Sequence, residues 1–109
     1  MSELPPFMRT KEEAIAYTIA EIIADILRVM DLLYNEKYDT IPIYLRTYTK
    51  RDMETIERVI GKPLEQCRKQ LEDVLRACRE RNISTIKNEL TLLTKYVCIE
   101  PYQILAGSK

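Results

Sequence analysis

The sequence predicts an all-α domain, a bundle of four to five helices with a long N-terminal helix and a short terminal one. Three observations carry this. Apolar residues recur three and four apart through three long segments, the period of a helix face. Threonine and serine stand where helices should start, and proline and glycine where they should stop. Only two glycines, Gly61 and Gly107, occur in 109 residues, too few for the turns of a β-sandwich or for a glycine-rich phosphate loop.

The chain reads as an extended arm over residues 1–9 and one helical-bundle domain over residues 10–107. In the arm, Pro5 and Pro6 favour an extended backbone. Phe7 and Met8 are costly to leave in water, so they are expected to fold back or to dock on a partner.

Thr10 and Glu13 form the clearest start signal, with the threonine placed to cap a helix and the glutamate to reach back. The first helix is expected over 11–35 or 11–37, and 25 residues make about 37 Å. It carries two apolar rows. One is Ile15, Ile19, Ile22, Ile26, Val29 and Leu33; the other is Ala16, Ala20, Ile23, Leu27, Met30 and Tyr34. Thr18, Glu21, Asp25, Arg28 and Asp31 form a single polar strip between them. Such a helix should be buried over well over half its circumference, as the spine of the fold or in a dimer interface.

Residues 38–48 are ambiguous. Ile41, Ile43 and Leu45 alternate, but Pro42 argues against a sheet, and a short helix after Pro42 is expected. Thr49 is a second candidate cap, opening a helix over 50–60 with Met53, Ile56, Val59 and Ile60 inward. Gly61 suits the residue after a helix, and Pro63 the first position of the next. That third long segment, 63–81, has Leu64, Cys67, Leu71, Val74 and Cys78 at spacings of 3, 4, 3 and 4. Two heptads point to bundle packing rather than a free coiled coil. A break is expected near Asn82, with Ser84 as cap of a helix over 85–99. Pro101 should start a short terminal helix over 102–106.

Composition bounds the function. Formal net charge is zero. Residues 1–45 carry four basic and eight acidic side chains, and residues 46–109 carry thirteen and nine, so the chain is acidic first and mildly basic second. Histidine is absent and no CxxC occurs, which removes the common zinc and triad chemistries. Cys67 and Cys78 should be buried free thiols. Glu21 and Asp25, one turn apart, read as a solvated edge. No catalytic residue, cofactor or metal site is expected. No apolar run escapes interruption by charge, so no membrane span is expected. Cytoplasm is the expected compartment, and the ionic, isoleucine- and tyrosine-rich composition suggests a heat-loving source.

Two function classes remain. The leading one is a non-catalytic protein–protein interaction module, a homodimer or an accessory subunit of a larger assembly. Its interface candidates are Phe7, Met8, Ile19, Ile23, Ile26, Met30 and Tyr34. The alternative is a DNA- or RNA-binding accessory factor. It would use Tyr44, Arg46, Tyr48, Lys50 and Arg51, with Arg68, Lys69, Arg76, Arg79 and Arg81 along the third long segment. Against the second class, Glu65, Glu72, Asp73 and Glu80 interleave with those arginines, the pattern of a solvated helix face.

Overall fold

The computed structural model describes residues 10–107, and within them the chain is all-helical. Helix α1 spans Lys11–Tyr34, α2 Thr40–Tyr44, α3 Lys50–Ile60, α4 Glu65–Glu80 and α5 Ile83–Gly107. A single π-helical turn, Leu45–Thr49, joins α2 to α3. Helix α4 packs along α5, and α1 packs against both α3 and α5. The predicted arm of residues 1–9, with Phe7 and Met8, lies outside the described residues.

Thr10 caps α1 as its sequence implies, accepting a hydrogen bond from the Glu13 amide at 3.0 Å. The Glu13 carboxylate accepts the Thr10 hydroxyl at 3.3 Å. At its other end α1 stops without a glycine. Glu36 takes the left-handed conformation, φ 57°. The Glu36 and Lys37 amides then donate back to the carbonyls of Leu33 and Leu32, the pairing of a Schellman stop.

The ambiguous stretch is helical from Thr40 and runs without interruption through the π turn into α3. Pro42 does not precede this helix but sits in its first turn, where proline is tolerated. The expected Thr49 cap is overturned. Thr49 has helical backbone, makes no capping bond and is fully buried, because α3 continues from the π turn instead of starting afresh.

Gly61 ends α3 with φ 74°, as expected. Helix α4 starts two residues beyond Pro63, and its cap comes from far away. Glu100 of α5 accepts the Gln66 amide at 2.9 Å and the Cys67 amide at 2.8 Å. Glu57 of α3 accepts the Leu64 amide at 2.7 Å. Arg81, φ 55°, breaks the chain after α4. Asn82, not Ser84, then caps α5 by accepting the Thr85 amide at 3.0 Å. The separate terminal helix is also overturned. Helix α5 runs through Pro101, which is buried, to Gly107 as one element.

The core joins the inner row of α1, which lies against α3 and α5, to the heptad row of α4 and the Ile86, Leu90, Leu93 and Val97 face of α5. Ile15, Ile22, Val29 and Leu33 have no exposed surface. Cys67 and Cys78 are buried free thiols. Burial pushes both up, Cys78 to about 11, so neither serves as a nucleophile at neutral pH.

Candidate interaction surface

Helix α1 has two unlike sides. All six members of its first apolar row are buried. The second row is not. Ala16, Ala20, Leu27 and Tyr34 are exposed, and Ile23 and Met30 are half-buried. Leu27 keeps 66% of its surface open and Tyr34 62%, large values for residues of that type on a helix this apolar. Spaced 4, 3, 4, 3 and 4 apart, the six lie in one line. Over 18 residues of rise the line is about 27 Å long. Two of the seven predicted interface residues, Ile19 and Ile26, are instead taken up by the chain's own core. Ile23, Met30 and Tyr34 lie on the open row. Ala16, Ala20 and Leu27 belong to the same row but are not among the predicted interface residues.

The polar strip of α1 also departs from expectation. Thr18 and Asp25 are buried, because α3 packs over that edge. Thr18 is satisfied by donating to the Ala14 carbonyl at 2.8 Å. Asp25 is not fully satisfied: among the described residues its Oδ2 is buried without a hydrogen-bond partner. Burial pushes the Asp25 carboxyl up to about 7; a hydrogen bond to Asp52, the Asp52 charge and the Glu21 charge push the same way, against Arg51. A hydrogen bond between two carboxyl groups requires one to hold a proton. The predicted solvated edge at Glu21 and Asp25 is therefore solvated only at Glu21. Thr49, buried nearby in sequence to Asp52, also has an unpartnered hydroxyl oxygen.

The nucleic-acid candidates separate into two groups. The Tyr44 and Tyr48 rings pack tilted at 46° with centroids 4.7 Å apart, and the Arg51 guanidinium lies 5.4 Å from the Tyr48 ring centre. Arg46 and Lys50 are exposed on the side that faces α4. Burial raises the Tyr44 hydroxyl, and the Asp25 charge adds to it. The arginines of α4 are mostly engaged. Arg68 pairs with Glu57, its Nε donating at 2.6 Å. Burial alone would raise the Glu57 carboxyl, but the bonds from Arg68 and from the Leu64 amide hold it below its usual range. Arg76 pairs with Asp73 at 3.0 Å and Arg81 with Asp39 at 3.1 Å. Arg81 also lies over the Tyr38 ring. Lys69 and Arg79 are exposed on α4. The structure thus brings Tyr44, Tyr48 and Arg51 together near the π turn, sets Arg46 and Lys50 towards α4, and spreads the α4 arginines among carboxylates.

Between α3 and α4 lies a cavity of about 210 Å³ floored by Met53, Leu71 and Leu75 and rimmed by Arg46, Lys50 and Glu54. Ligand sites usually run to roughly 300–1,000 Å³. No group of three or more side chains suited to a metal ion occurs among the described residues. No helix there is long and apolar enough to cross a membrane. The chain matches no family model, no curated protein and no solved structure.

Proposed function

We propose that this chain is a non-catalytic protein–protein interaction module that docks through the outer row of α1. The observation that carries the reading is the exposure of Leu27 and Tyr34 in line with Ala16, Ala20, Ile23 and Met30. An apolar line along an exposed helix face is costly in water and is a common mark of a partner surface. Alanines at the N-terminal end allow another helix to approach closely. The partner is a second copy or a larger subunit.

The test uses affinity capture from cells, with the purified wild-type chain and Leu27→Glu as parallel baits, together with light scattering of both. Leu27 makes little core contact, so the variant keeps its circular dichroism spectrum. The reading stands if self-association, or capture of one protein at a defined ratio, is present in the wild type and lost in Leu27→Glu. Neither event in the wild type defeats it.

A second reading rests on the tilted Tyr44–Tyr48 pair with Arg51 over Tyr48, which could seat unpaired bases. Binding to single-stranded probes at two salt concentrations tests it. Loss of binding in Tyr48→Ala and a steep fall with salt support it, and no binding at low salt removes it.

A further inference from the structure

We infer that the occupant of the α1 outer row is the same row of a second copy, laid antiparallel about a two-fold axis near position 25; this rests on the interaction-module reading above. The row grades in size along the helix: Ala16, Ala20, Ile23, Leu27, Met30, Tyr34. Its midpoint is position 25. Antiparallel pairing about that point sets residue i against residue 50 − i. Ala16 then meets Tyr34, Ala20 meets Met30, and Ile23 meets Leu27, each pair twice. Every layer holds one small and one large side chain, or two of middle size, so the helices stay evenly spaced along the contact. Parallel pairing instead sets alanine on alanine at one end and tyrosine on tyrosine at the other. One end is left hollow and the other is forced apart, and both faults are destabilising in a packed interface.

Charge agrees with the same orientation. The N-terminal end of the row carries Glu12, one turn before Ala16. The C-terminal end carries Lys87 of α5, whose ammonium lies 5.4 Å from the Tyr34 ring centre. When Ala16 of one copy lies on Tyr34 of the other, Glu12 comes to the Lys87 end, and symmetry makes the contact twice. In the parallel arrangement Glu12 meets Glu12. Opposed helix dipoles favour the antiparallel pair as well. A two-fold pair of this kind is self-complementary and closed, so it stops at a dimer. One helix pair buries less than the roughly 1,600 Å² of a standard stable interface, so the expected dimer is a weak one.

Sedimentation equilibrium of the full chain up to roughly 1 mM measures the association directly. Glu12→Lys and Lys87→Glu should each raise the dissociation constant about tenfold, and the double variant should restore it, as exchanged charge partners do. Orientation is read in a Cys98→Ser background, since Cys98 is an exposed thiol. Ala24→Cys, beside the axis, should give a disulfide-linked dimer on mild oxidation. Ala16→Cys, whose copies lie far apart in the antiparallel pair, should not. A monomer at the highest concentration, equal cross-linking at both positions, or a double variant as weak as the single ones overturns the inference. A monomer that still captures another protein through Leu27 overturns only the second copy, whereas a monomer that captures nothing overturns the interaction module too.

Discussion

The two sides of α1 are built from similar residues and meet opposite fates. Ile22 and Leu27 are one and a half turns apart; the first has no exposed surface and the second keeps 66%. Hydrophobicity alone therefore does not decide burial in this helix. What decides it is where the other helices lie. Helices α3 and α5 cover the inner row, and nothing among the described residues covers the outer one along its length. Free energy follows the coverage rather than the residue type.

Substitutions that sharpen this contrast differ in size. Ile22→Ala should cost about 3 kcal/mol of unfolding free energy, through lost transfer and the cavity left behind. Leu27→Ala should cost less than about 0.5 kcal/mol in the monomer. Urea unfolding at low protein concentration measures both, and equal losses would break the comparison.

Polar groups on the covered side are expected to act next. Glu100→Ala leaves the Gln66 and Cys67 amides without their acceptor and should cost about 2 kcal/mol. A thermal melt with the Glu100→Gln variant alongside it tests this, glutamine recovering part of the loss because it still offers one acceptor oxygen.

Asp25 gives the covered side a pH dependence. Its folded carboxyl sits at about 7 against an ordinary 3.8. Between these values the native state holds a proton that the unfolded chain has released, so stability falls as pH rises through that window. The contribution is full below pH 3.8 and is gone above about 7. Asp25→Asn should flatten this slope and should stabilise the fold at pH 8 by roughly 2 kcal/mol, since the amide carries no charge to bury. Urea midpoints at pH 5 and pH 8 decide it, and an unchanged slope in the variant would remove Asp25 as its source.

On the covered side, a smaller effect is expected at the π turn. Thr49→Val replaces a buried hydroxyl that has no partner by a methyl group of the same shape, and should stabilise by about 1 kcal/mol. A lower melting temperature for Thr49→Val would mean that the hydroxyl is satisfied in solution.

Periodicity made most of the fold legible. The α1 inner row, the α4 seam and the α5 stripe all follow from apolar spacing, and Thr10 and Gly61 mark real helix ends. The misread points share a cause. Thr49 and Ser84 have the composition of caps, but a cap needs a chain that enters the helix from outside. At Thr49 the chain is already helical, and at Ser84 the cap has been made two residues earlier by Asn82. Glu100 was invisible as a cap because the amides it accepts lie more than 30 residues away, and no local pattern reports that. The outer row was visible as a row, yet single-chain periodicity states that a face is apolar without stating how many faces the rest of the chain can cover. Four of the α1 outer-row residues are left open for that reason, and Asp25 is closed for the converse one.

The Glu100 cap has a consequence for the order of synthesis. A chain emerging from the ribosome presents α4 well before residue 100 exists outside the tunnel. Until then the first turn of α4 lacks the carboxylate that satisfies its amides, and α5, the helix that α4 packs along, is missing too. The first turn of α4 is thus finished by a residue made more than 30 positions later, and the domain closes only after that residue has emerged.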